Sequence, residues 1–372
     1  MLIQDYYPVI GGAERQLATL APRLVELGIS VTVYTRQAPG LPPTETLSGV
    51  PVHRLPVPGS RATRSLSFTV NVLNRLKTLR PDVIHAHNLF SPSTTAVLAK
   101  KLFDIPIIAK VVRGGHLGDL HQLRERALGR YRVNWLCRNV DRFVTISAEI
   151  GEELAKLGVT NERRAFIPNG VDCERFCPVT IEVKAGLRKK LKLPDALTVV
   201  YTGRLASEKR IEDIVSIWPS VRDKYPGASL LVVGTGEQAA VLRKMGTPGV
   251  IFTGPVDDVA PYLKAADIFV LPSVTEGLSN ALLEAMASGL ACIATDVGGA
   301  RELITPGESG ILIPPKNPSV LLEQLLKVLA KTEDRVPLGQ KARAHVTEYF
   351  SLDFVARSID RLYHDVLGRK LT

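Results

Sequence analysis

Cysteine is scarce in this chain. Its 372 residues include four, Cys137, Cys173, Cys177 and Cys292, and none make the C-x-x-C spacing that grips zinc. A disulfide-stapled scaffold is thereby excluded, and Cys173 and Cys177 read as free thiols. Long apolar runs are also missing: no window reaches the roughly 18 to 20 residues needed to span a bilayer. The opening MLIQDYYP lacks a basic segment followed by an apolar core, so no secretory leader is read there. The expected location is the cytoplasm. Finally, no helix-turn-helix, zinc finger or other nucleic-acid module accompanies the positive charge, so nucleic acid is not expected as a partner.

What is present is ample apolar material, 45% of the chain, and a length that favours two domains over one. The formal charge of +10 is lopsided: residues 1–175 hold 23 Lys and Arg against 15 Asp and Glu, the remainder 24 against 22. Part of the excess lies between Arg113 and Arg142, where Arg124, Arg126, Arg130, Arg132 and Arg138 interleave with Tyr131 and Trp135. A solvated helix face explains such a run. An anionic membrane surface or a phosphate-bearing acceptor explains it as well, at about 1 kcal/mol per basic residue brought near lipid.

Apolar periodicity divides the chain into two similar series. In the first, the strand-like runs ISVTVY, PVHRLPV, DVIHAH, IPIIAKVV and RFVTIS alternate with helical patterns over 66–79, 92–103 and 119–139. An earlier helix places Leu17, Leu20, Ala21, Leu24 and Leu27 on one face, with Gly28 ending it. The initial MLI, three residues against the usual five or six, reads as a strand clipped at its start. In the second series LTVVYTG, SLLVVG, VIFTG, DIFVLP, LACIAT and GILIPP again alternate with helices. This is the pattern of parallel sheets covered on both faces, and predicts two doubly wound α/β domains with ligands at the carboxyl edges of their strands. The expected limits are 1–178, 179–350 and a last helix over 351–372 that crosses back, with Phe354, Ile359, Leu362, Tyr363 and Val366 at helical spacing.

The stretch EGLSNALLE places Glu276 before a glycine turn and Glu284 on the helix behind it, with Ser279 as N-cap and Gly289 as stop. Backbone N–H groups of Gly277, Leu278, Ser279 and Asn280 face outward from that helix end, suited to an anion such as a diphosphate. Read alone, the two glutamates are equally ordinary surface acids. VVYTGRLASEK adds Arg204 and Lys209 just past the end of a strand, and the two cations are suited to a departing diphosphate. GTGEQA at 234–239 matches a dinucleotide fingerprint, but no ribose-binding acid ends the following strand. His85 and His87 share one face of a strand without a third ligand, so they read as cleft-lining residues and not as a metal site.

GGAER at 11–15, IPNGVD at 167–172, GRLASEK at 203–209 and the E-x7-E pair Glu276 and Glu284 together resemble glycosyltransferase family four, retaining enzymes of GT-B fold. The resemblance covers nearly the whole chain. It implies two Rossmann-like domains facing each other across a cleft, and transfer of a sugar from a nucleoside diphosphate to an acceptor hydroxyl without metal or cofactor. By the same resemblance Arg204 and Lys209 meet the donor diphosphate, Gly12 approaches it from the front domain, and Gly203 belongs to the donor-binding set. Glu276 matches the acid on the donor sugar, Glu284 the one on the ribose, Gly277, Leu278, Ser279 and Asn280 the loop on sugar and phosphate, and Val256 the region beside the base. The family often carries a histidine where this chain reads KVVRGGHLGDL; Arg113 or Gly114 falls there, and His116, a few residues on, is the catalytic candidate carried over. A nucleotide-sugar epimerase of the same architecture, and a silent nucleotide-sugar binder, are the alternatives. A peripheral position on the inner face of a membrane is a further expectation.

Overall fold

The structure, a computed structural model, describes residues 1–8 and 11–368; the side chains of Arg61 and Ala62 are also outside the description. The chain divides into two compact units. One comprises Met1–Gly170 and the chain from Leu352 onward, the other Val171–Ser351. The sequence reading placed the junction at 178, but Val171–Cys177 is held to the second unit: the Val171 N–H donates to the Phe350 carbonyl, and Arg343 donates to the carbonyls of Cys173 and Phe176.

The first unit contains strands β1 (Val33–Arg36), β2 (Thr44–Leu47), β3 (Val50–Leu55), β4 (Ile84–His87), β5 (Ile107–Val111), β6 (Arg142–Thr145) and β7 (Arg164–Phe166). β1 pairs parallel with β3, and β2 antiparallel with β3; β4 to β7 run parallel in sequence order. Leu2 joins the two sets, bridging Tyr34 of β1 and Ala86 of β4. Its N–H donates to the His85 carbonyl at 2.9 Å, and its carbonyl accepts from His87 at 2.8 Å. The short opening segment thus occupies a central strand position, and the order reverses there, with β1 on one side and β4 on the other.

The helix Gly12–Glu26 covers this sheet with Leu17, Leu20, Ala21 and Leu24; Leu27 is its C-cap and is 46% exposed, contrary to the expected face. Helix Leu352–Leu367 packs against that helix, burying Val355, Ala356, Ile359 and Leu362 in the same core, with Phe354, Tyr363 and Val366 at its margin. The helical pattern over 119–139 is interrupted: Asp119–Arg124 and Gly129–Asn139 are separate helices, because Leu128 takes a left-handed conformation.

The second unit is a six-stranded parallel sheet of β8 (Thr198–Thr202), β9 (Ser229–Val233), β10 (Val250–Gly254), β11 (Ile268–Leu271), β12 (Ala291–Thr295) and β13 (Ile311–Ile313), in the order β10-β9-β8-β11-β12-β13. β8, β9, β11 and β12 are buried at every residue, as strands covered on both faces must be. Successive strands extend one way from β8 to β10, and the chain then returns to β8's other side as β11. The switch point therefore lies between β8 and β11, where doubly wound sheets open a crevice beyond the strand ends.

Candidate active site

Two loops leave that switch point carrying the expected charges. After β8, Gly203 and Arg204 lead to a short helical turn, Ser207–Lys209; after β11, Ser273 and Glu276 precede helix Asn280–Ala287. Lys209 Nζ reaches across to Glu276 Oε1 at 2.6 Å, and Ser273 Oγ donates to the same oxygen at 2.6 Å. The Lys209 and Glu276 side chains are 19% and 10% exposed, so the pair is largely shielded from water. The loops are also joined through the backbone, the Val274 N–H donating to the Glu208 carbonyl at 2.9 Å.

Arg204 is placed differently. Its guanidinium bonds Glu208 Oε1 at 2.6 Å, and its side chain is 62% exposed. The Tyr201 hydroxyl donates to the Arg204 carbonyl at 2.9 Å and so fixes the backbone while the cation stays accessible. Burial, and then the charges of Glu276 and Glu208, push the Tyr201 phenol above its usual range, so it remains a donor. Ser279 accepts the Leu282 N–H at 3.3 Å, as an N-cap should, and the helix ends before Gly289. Glu284 lies on this helix, half-buried, and Val256 lies half-buried in the loop after β10.

Backbone crowding explains two glycines. A Cβ on Gly298 would stand 2.1 Å from the Glu276 carbonyl, and its φ of +52° is left-handed. The adjacent Gly299 N–H donates to the Gly277 carbonyl at 2.6 Å. The loop after β12 thereby braces the Glu276 turn from behind. Gly234, in the dinucleotide-like GTGEQA, serves packing: its Cβ would meet the Gly203 carbonyl at 2.0 Å.

The remaining candidates belong to the first unit. Gly12 opens helix Gly12–Glu26, and the half-buried Glu14 carboxylate lies beside Gly11; its pKa is raised, chiefly by burial. His116 is exposed in the loop after β5, whereas Arg113 is half-buried and Gly114 buried. His85 and His87 do share a face, their rings stacked 4.4 Å apart, but they are core residues: both are at most 2% exposed, and Tyr363 bonds His85 Nδ1 at 2.9 Å. Burial holds His85 near a pKa of about 3, so it stays neutral. Among the described residues no group of three or more His, Cys, Asp or Glu is placed to hold a metal, and no helix is long and apolar enough to cross a membrane.

Sequence reasoning did not find Glu208, Ser273 or the Gly298–Gly299 brace. Glu208 stands in the SEK run four residues after Arg204, but Arg204 lies outside the short helical turn Ser207–Lys209, so helical spacing did not mark the pair. The glycine pair was visible after ACIAT as a strand-to-helix turn.

Two doubly wound units of this kind are the GT-B fold, shared with solved glycosyltransferases. The family model described as "Glycosyltransferase Family 4" matches residues 10–175, and "Glycosyl transferases group 1" matches 196–331. The chain is 31% identical over 297 residues to the putative teichuronic acid biosynthesis glycosyltransferase TuaC of Bacillus subtilis, covering 77% of this chain and 73% of that one. Sucrose-phosphate synthase from Thermosynechococcus elongatus superposes with a TM-score of 0.83 at 24% identity, covering 96% of this chain and 94% of the other. HepE from Anabaena, solved in complex with UDP-glucose, gives 0.81 at 19% identity over 98% and 99%. The chain belongs to glycosyltransferase family four, and it is a glycosyltransferase.

Proposed function

We propose that this enzyme moves a sugar from a nucleoside diphosphate to an acceptor hydroxyl with retention of anomeric configuration and without a metal ion. The observation that carries this reading is the Lys209–Glu276 pair at the switch point, directly before the capped amino end of helix Asn280–Ala287. The HepE complex with UDP-glucose, on a similar fold, supports a nucleotide-sugar donor.

In this reading the diphosphate lies against the N–H groups of Gly277, Leu278, Ser279 and Asn280, with Lys209 and Arg204 supplying the charge that a metal would otherwise bring. Glu276, oriented by Lys209 and Ser273, accepts from donor-sugar hydroxyls. Glu284 takes the ribose, Val256 flanks the base, and Gly203 lets the chain pass close to the phosphates. By the family resemblance, Gly12 and His116 are the residues of the first unit assigned to the donor and to catalysis. The bond between the anomeric carbon and the phosphate oxygen breaks as the acceptor oxygen bonds the same carbon from the same face; the released phosphate oxygen takes the acceptor's proton. Negative charge growing on that oxygen is met by groups already in place, which is where electrostatic catalysis gains most.

Arg124, Arg130, Arg138, Leu128 and Tyr131 are each exposed, which supports a cytoplasmic placement only together with the proposed anionic membrane surface, to which such basic and apolar side chains are suited. Salt-sensitive flotation with anionic liposomes tests that part.

A thermal-shift screen against UDP-, GDP- and ADP-sugars, followed by proton NMR of the product, tests the whole. The expected result is stabilisation by one donor class and a product of unchanged anomeric configuration. An inverted product, or a strict requirement for a divalent ion, contradicts the mechanism.

A further inference from the structure

The first unit contains a pocket of about 310 Å³ that the reaction above does not use. Its lining is three arginines, Arg36, Arg126 and Arg132, with Gln4, Gln122, Ser65, Ser91 and Phe90; among the described residues that line it there is no carboxylate. The arginines come from separate elements, the end of β1, the turn between two helices, and helix Gly129–Asn139. All three are half-buried, unlike the solvated arginines on the outer face.

Each is held in position. Arg36 donates to Ser91 Oγ at 2.7 Å, and Arg132 donates to Thr94 Oγ1 through Nε at 2.9 Å. The Arg126 guanidinium lies 4.3 Å from the centre of the Phe90 ring. Burial, followed by the neighbouring Arg126 charge, lowers the Arg132 pKa. The location is telling too. Gln4 follows the Leu2 segment, Arg36 ends β1, and Phe90 and Ser91 follow β4, so the pocket sits at the carboxyl ends of the strands flanking this unit's own switch point.

We propose that this pocket seats a phosphate monoester, with Arg36, Arg126 and Arg132 as its guanidinium donors, and that the acceptor carries this group. Guanidinium forks match a tetrahedral oxyanion, and a small polar cavity admits a sugar-phosphate headgroup. Assigning the phosphate to the acceptor rests on the sugar-transfer reading above; its binding to the pocket does not.

The test is hydrogen–deuterium exchange on the full chain with methyl phosphate, at about ten times an expected Kd on the order of 1 mM. Amides in 88–94 and 122–134 should exchange severalfold more slowly. The Arg126→Gln/Arg132→Gln variant should weaken the effect roughly tenfold or more. Arg204→Ala should keep it, which separates this pocket from the donor diphosphate site. Circular dichroism confirms folding, and Arg126→Lys/Arg132→Lys should restore part of the protection. Vesicles of phosphatidylcholine with and without phosphatidic acid form a second arm. Protection by methyl phosphate identifies a soluble ester, and protection by phosphatidic acid alone a lipid headgroup; each supports the site. Protection by neither, or equal protection in the Gln variant, overturns it. Nucleotide-sugar titrations on the same proteins show separately whether the donor reading stands.

Discussion

Lys209 Nζ and Glu276 Oε1 stand 2.6 Å apart, joining loops that leave two adjacent strands of one sheet. Each group constrains the other: the ammonium compensates a carboxylate that would otherwise be shielded from water without a counter-charge, and the carboxylate fixes the direction of the cation. Lys209→Ala should therefore act twice. In the proposed mechanism it removes a donor to the diphosphate, and it leaves Glu276 with the bond from Ser273 Oγ. Turnover should fall by about two orders of magnitude, and unfolding free energy by up to about 3 kcal/mol. Steady-state kinetics and urea denaturation on one preparation check both.

Arg204 should behave otherwise. Its partner Glu208 is four residues away and the guanidinium is mostly exposed, so the ion pair contributes within about 0 to 1 kcal/mol of stability. Arg204→Ala should leave the melting temperature nearly unchanged while cutting turnover by about two to three orders of magnitude, the cost of one donor to developing charge. A variant that keeps most of its rate would show that Arg204 does not face the diphosphate.

Gly298→Ala tests the brace behind the Glu276 turn. A left-handed φ alone costs about 1 to 2 kcal/mol for a residue with a Cβ, and here the new methyl also meets the Glu276 carbonyl backbone. The turn must move. Donor affinity measured by calorimetry should drop at least about tenfold, a loss of about 1.4 kcal/mol.

A pH effect should arise in the first unit. Asp119 is buried, and burial pushes its pKa up to about 7 against the opposing bonds from the Val112 and Leu89 N–H groups. The unfolded carboxyl titrates near about 3.9. Between these values the folded state holds a proton that the unfolded state has lost, so this contribution to stability is complete below about pH 4 and is lost as pH rises through about 7. Asp119→Asn should flatten that decline. Urea midpoints between about pH 5 and pH 8 should converge for the variant and fall for the parent.

Much of the architecture was written in local patterns. The short apolar runs VVYT and IFVL, set between helical patterns, read as covered strands, and Ser279 with Gly289 marked both ends of its helix. Less was visible where distant contacts decide. The pair Thr44–Leu47 has a weak alternation and becomes a strand because β3 is there to receive it. Arg164–Phe166 is too short to stand out as a strand and becomes one by pairing with β6. His85 and His87 were placed on one face correctly but assigned to a cleft, because the residue that covers His85, Tyr363, lies 278 positions away. At the site, charge type and spacing revealed Lys209 and Glu276 as candidates, while the choice of Glu208 as Arg204's partner depended on the short helical turn that only the structure shows.

The central claim is that a nucleoside diphosphate sugar is held by the group around Lys209 and Glu276. Isothermal titration with UDP-, GDP- and ADP-glucose, on the parent protein and on Lys209→Ala, tests it most directly. One donor class should bind the parent, and its Kd should rise about tenfold or more in the variant, equivalent to about 1.4 kcal/mol. Equal affinity in the two proteins, or no binding of any of the three, would contradict the account.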